Sequence, residues 1–85
     1  MRLVMVYREA SEARAAVENF LEDFARQTGH RIETLNPDSP AGSQFCQTYD
    51  VVEYPTLLAI GQDGTLAQTW RGAELPTISE VSFYA

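Results

Sequence analysis

The sequence predicts one α/β domain spanning residues 1–85, a four-stranded mixed sheet flanked by helices in the order β-α-β-α-β-β-α. Three observations predict it. Arg2–Tyr7 (RLVMVY) and Thr56–Ile60 (TLLAI) are short, β-rich and almost continuously apolar, as strands covered on both faces are. Ala13, Ala16, Val17, Phe20, Leu21 and Phe24 recur at helical spacing and form one apolar stripe. Strand, helix and strand patterns follow one another within the first 35 residues, a βαβ unit whose strands run parallel.

Taken in order, Arg2–Tyr7 is the first strand. Ser11 is placed to start the first helix as its N-cap, and Gly29 to end it at the C′ position. His30–Leu35 (HRIETL) alternates well enough for a second strand, and Asn36-Pro37-Asp38 then breaks the chain. Ser39-Pro40 is an N-cap followed by proline at the first helical position, which opens a helix to about Tyr49. Pro55 has no N–H to give a ladder, so it stands at the entrance of the third strand, Thr56–Ile60. Gln62-Asp63-Gly64 is turn chemistry and returns the chain antiparallel as Leu66–Arg71. Thr77-x-x-Glu80 is a capping box and starts a last short helix through Val81 and Tyr84.

A chain of this size buries only about 60–65% of its unfolded surface, so the core is modest. The N-terminal apolar run is five residues long, too short for a signal peptide or a membrane span, and a cytoplasmic location with no membrane association is expected. Twelve acids face six bases, all of them arginine, for a net charge of −6. Such a surface repels phosphate backbones, so nucleic acid is not an expected partner. Cys46 is the only cysteine and His30 the only histidine, so neither an internal disulfide nor a metal site is expected.

The element order, with proline at the start of the third strand, resembles the thioredoxin-like superfamily in its minimal, glutaredoxin-sized form. The likeness in element order covers nearly the whole chain. In residue detail it covers Tyr49–Gly72: a tyrosine ending a helix, then VVEYPTLL, a turn with Gly64, a strand and Gly72. The resemblance implies that the Tyr54–Pro55 bond is cis. It also implies that the backbone before Pro55 faces a groove where an extended substrate pairs.

The family's CxxC motif is missing. Aligned through Phe20–Ala25, its site falls on Ser11-Glu12-Ala13-Arg14, with Ser11 at the nucleophilic cysteine and Arg14 at the resolving one. Met5 falls where the family carries a buried carboxylate that assists proton transfer. Thiol–disulfide exchange needs an attacking thiolate and a second thiol to release the mixed disulfide. A serine there needs a base to become a nucleophile, and no histidine is near.

The chain is therefore expected to be redox-inactive and cofactor-free, a non-catalytic module that binds a protein or peptide. Its candidate groove residues are Tyr7, Ser11, Arg14, Tyr54, Pro55, Trp70 and Arg71. Tyr54 would either fill the groove or stack on a ligand. Trp70 and Arg71 would be an exposed binding pair, or a ring packed on the last helix beside a solvated guanidinium. Cys46, beside Phe45 and Tyr49 on a helix, reads as a small buried hydrophobe, and more sharply as a reactive thiol. The alternative is a glutathione-binding or transferase-like enzyme in which Ser11 or Tyr7 holds a thiolate.

Overall fold

A computed structural model describes all residues, Met1–Ala85. The elements follow in the expected order: β1 (Arg2–Val6), α1 (Arg14–Thr28), β2 (Glu33–Leu35), α2 (Pro40–Tyr49), β3 (Thr56–Ile60), β4 (Leu66–Arg71) and α3 (Ile78–Ser82). The sheet order is β2-β1-β3-β4, with β1 parallel to β2 and antiparallel to β3, and β3 antiparallel to β4. The two apolar runs are thus its central strands, and from Leu3 to Val6 and from Thr56 to Ile60 every residue is buried.

Alternation along these strands sorts their side chains into two cores. Leu3 and Met5 of β1 and Tyr7 just past it, with Leu57 and Ala59 of β3, meet Val17, Phe20 and Phe24 of α1 and Val81 of α3. Val4, Val6, Leu58 and Ile60 face the other way, onto Phe45, Cys46 and Val51. The sheet therefore lies between α1 with α3 on one face and α2 on the other. No helix is long and apolar enough to cross a membrane.

β1 ends at Val6, one residue short of the sequence reading, and three other boundaries depart from it. First, α1 begins at Arg14, with Ala13 in the cap position and no side-chain cap. Ser11 does not cap it. Residues 11–13 form a turn, in which the Ser11 hydroxyl donates to the Arg8 carbonyl at 2.6 Å. Second, β2 is three residues long, because its ladder to β1 starts at Val4↔Glu33. Continuing that register would put Arg31 opposite Arg2, a like-charge pair that weakens a ladder. Third, α3 ends at Ser82, so Phe83 and Tyr84 lie beyond it.

The remaining signals are realised in detail. Gly29 takes φ 75° and its N–H donates to Ala25. The Thr77–Glu80 capping box has both of its bonds. Ser39 Oγ accepts from Gly42 N at 3.0 Å and donates to the Asn36 carbonyl at 2.8 Å. This packs the start of α2 hard against the Asn36–Asp38 turn. A Cβ on Gly42 would fall far inside van der Waals contact distance of the Asn36 carbonyl oxygen.

At an ordinary helical site Gly→Ala stabilises by roughly 1 kcal/mol. Gly42→Ala is predicted to do the opposite and destabilise by about 1–3 kcal/mol through overpacking. Urea unfolding measures it, and a stabilised variant would contradict the packing described.

Candidate functional site

The β1–β3 register creates the site. Val6 pairs with Thr56. Past this last rung the chain brings Arg8 beside Tyr54. There the Arg8 guanidinium lies over the Tyr54 ring, 4.8 Å from its centroid. Asp38, in the turn before α2, accepts two hydrogen bonds from the same guanidinium, at 2.9 and 3.1 Å. The Asn36–Ser39 turn thus holds Asp38, Asp38 holds Arg8, and Arg8 covers Tyr54.

These residues border a groove of about 520 Å³. Arg8, Ser11 and Glu12 supply one wall from the loop between β1 and α1. Ala13 at the helix cap and Ala16 of α1 line it from the helix side, and Tyr54, Pro55 and Ala73 complete it. The Tyr54–Pro55 peptide bond is cis. Behind Pro55 the chain is tied down, since Gly72 N donates to the Pro55 carbonyl at 2.8 Å and Thr56 Oγ1 to the Glu53 carbonyl at 2.6 Å. Tyr54 itself is not: neither its N–H nor its C=O takes part in a hydrogen bond within the chain.

Of the residues singled out by sequence, Ser11, Tyr54 and Pro55 come together in this groove. Tyr7 does not line it. Its ring is buried against α1 and its hydroxyl donates to Glu18 at 3.1 Å. Burial, and then the bond to Glu18, push the Tyr7 hydroxyl above its usual pKa. Arg14 also turns away from the groove and pairs with Glu18 at 3.2 Å. Trp70 packs on the α1-face core and meets Tyr84 edge-on at 5.6 Å, while Arg71 is exposed and unpaired. Cys46 is buried in the α2-face core and does not line the groove. Tyr54 reaches that same core, and burial, followed by its proximity to Cys46, raises its pKa.

Arg8, Asp38, Glu12 and the small residues Ala13, Ala16 and Ala73 were not singled out by sequence. No sequence signal joins Arg8 to Tyr54, which meet only through the β1–β3 register. Nor does one mark Asp38, because it meets Arg8 only through the fold. No group of three or more His, Cys, Asp or Glu side chains is placed to hold a metal ion.

Chemically the groove offers hydrogen-bonding main chain, a stacked guanidinium, one free carboxylate at Glu12 and a small-residue floor. The Ser11 hydroxyl is spent as a donor on Arg8, leaving only acceptor lone pairs. No sulfur lines the groove.

No protein-family model matches this chain, and no curated protein matches it. Solved structures do. Thioredoxin 1 from the thermophilic eubacterium Thermosipho africanus TCF52B is similar with a TM-score of 0.69 at 15% identity, over 95% of this chain and 85% of that one. A protein described only as malarial gives 0.69 at 12% identity, over 96% and 89%. Plasmodium falciparum thioredoxin gives 0.65 at 14% identity, over 96% and 79%. At such identities the likeness is one of fold, and the fold is thioredoxin-like.

The Arg8 hydrogen bonds hold the Asp38 carboxyl below its usual range. A carboxyl lowered on folding contributes stability above its unfolded pKa, near 3.9. It loses that contribution as pH falls through the folded midpoint. The pair is exposed, so its effect on stability is small. Its titration is the sharper observable. Carboxyl-carbon NMR should place the Asp38 midpoint below that of an ordinary aspartate, and Arg8→Gln should raise it. A normal midpoint that ignores Arg8→Gln would remove the pair from the site.

Proposed function

We propose that this protein is a non-catalytic binding module that takes an extended peptide segment of a partner protein in the groove at Tyr54 and Pro55. The observation that carries this reading is the main chain of Tyr54. Its donor and acceptor have no partner within the chain, in a residue that lines the groove. Main-chain groups almost always find partners, in the protein, in water or in a ligand. An extended peptide satisfies both at once by adding a strand-like segment.

The chemistry supports binding over turnover. The only thiol, Cys46, lies in the core on the α2 side. Exchange at the groove would need a thiolate there and a second thiol to resolve the mixed disulfide. Met5, fully buried among apolar neighbours, offers no proton relay.

The competing reading is a glutathione-binding or transferase-like enzyme, in which a hydroxyl would stabilise a bound thiolate. Both candidate hydroxyls donate elsewhere, Tyr7 to Glu18 and Ser11 to the Arg8 carbonyl. That weighs against it.

Two measurements separate the readings. The protein should not accelerate the reduction of insulin disulfides by dithiothreitol, and Cys46→Ser should behave identically. Titrated glutathione should leave the amide resonances of Ser11, Tyr54 and Thr56 unmoved. Faster reduction that Cys46→Ser abolishes would establish a one-cysteine oxidoreductase instead. Saturable shifts at Ser11 and Tyr54 would favour the glutathione reading.

A further inference from the structure

The charges that border the groove are unequal in kind. Four of the six arginines are engaged in ion pairs, Arg8 with Asp38 among them. Glu12 lines the groove and has neither an ion-pair nor a hydrogen-bond partner. Glu53 precedes Tyr54 in the chain and Glu74 follows Ala73, and neither is in an ion pair. The Glu53 carboxylate lies beside Gly72, whose N–H holds the Pro55 carbonyl.

No free cation balances them there. Arg71 is the nearest in sequence, but it stands opposite Thr56, on the sheet face that Leu58 shares with α2. Ala13 and Ala16 of the groove belong to the α1 side. Arg31, the other unpaired arginine, precedes β2 at the opposite edge of the sheet. The groove is therefore a small-residue trough with unpaired main chain at Tyr54 and only carboxylates free to pair.

Resting on the reading above, we propose that the occupant is an extended peptide bearing lysine or arginine, its cation paired with Glu12 and its small side chains over Ala13, Ala16 and Pro55. The charge of the whole chain acts in the same direction. At −6 it draws cationic partners in and repels anionic ones. Each exposed pair contributes about twofold to fivefold in affinity, so the preference is a matter of selection among peptides that all use the Tyr54 main chain.

The test is a random dodecapeptide library selected on the wild-type protein and counter-selected on Ala16→Trp, which fills the trough from an exposed position of α1. Ala73→Trp blocks it from the other side, and circular dichroism checks that both variants fold. Peptides lost on both blocks are groove binders. They should be enriched in lysine and arginine and poor in aspartate and glutamate. In a recovered peptide, replacing the basic residue by glutamine should weaken binding about twofold to fivefold. Glu12→Gln should weaken the basic peptide by a similar factor and weaken the glutamine peptide less. Groove binders with no basic bias, or indifferent to Glu12→Gln, would overturn the charge preference and leave the binding reading intact. If no peptide is lost on the blocks, or none is selected, the groove reading fails and this proposal fails with it.

Discussion

Everything in this molecule hangs on the ladder between β1 and β3. Five antiparallel rungs run from Arg2↔Ile60 to Val6↔Thr56, at the middle of a four-stranded sheet. Fully burying a side chain of the valine, leucine or methionine kind contributes roughly 1.5–3 kcal/mol. The two strands hold Val4, Met5, Val6, Leu57 and Leu58 at or near zero exposure. Such strands leave one register open, since a slip by one residue would exchange the side chains of the two faces. A small domain has little else to spend on specificity.

That register also builds the groove. It ends β1 where β3 begins, so Arg8 arrives beside Tyr54 without any sequence signal joining them. The turn before α2 supplies Asp38 from a third direction, and the tight seat of Gly42 under Asn36 holds that turn. The stacked guanidinium is therefore a consequence of the packing of both faces. A change deep in the sheet or at the start of α2 reaches the groove through it.

Local signals were legible where one residue type decides the geometry. The buried strands, Ser39-Pro40, Gly29 and the Thr77–Glu80 box could be read from spacing and backbone chemistry alone. The start of α1 could not. Ser11 has the right chemistry for a cap, but its hydroxyl finds the Arg8 carbonyl first, and the helix opens three residues later. The second strand read too long because its end is decided by its partner, Arg2 and Val4 of β1, and not by its own pattern. At the site, Tyr54 and Pro55 could be found from a resemblance that runs through Tyr49–Gly72, and Ser11 from the alignment through Phe20–Ala25. Arg8 and Asp38 could not, because their contact joins residues 30 positions apart. Tyr7, Trp70 and Arg14 were chemically plausible and are turned to other partners by strand alternation and helix phase.

What remains after the core is satisfied is free main chain at Tyr54, in a groove without a thiol. Amide hydrogen exchange tests this most directly. In the free protein the amides of Thr56–Ile60 should be protected by their ladders, while the Tyr54 amide should exchange near the rate of an unstructured chain. With a groove-binding peptide at saturation, the Tyr54 amide should slow and those of β3 should not change. A Tyr54 amide already protected in the free protein would mean that its donor is taken, and would contradict the account.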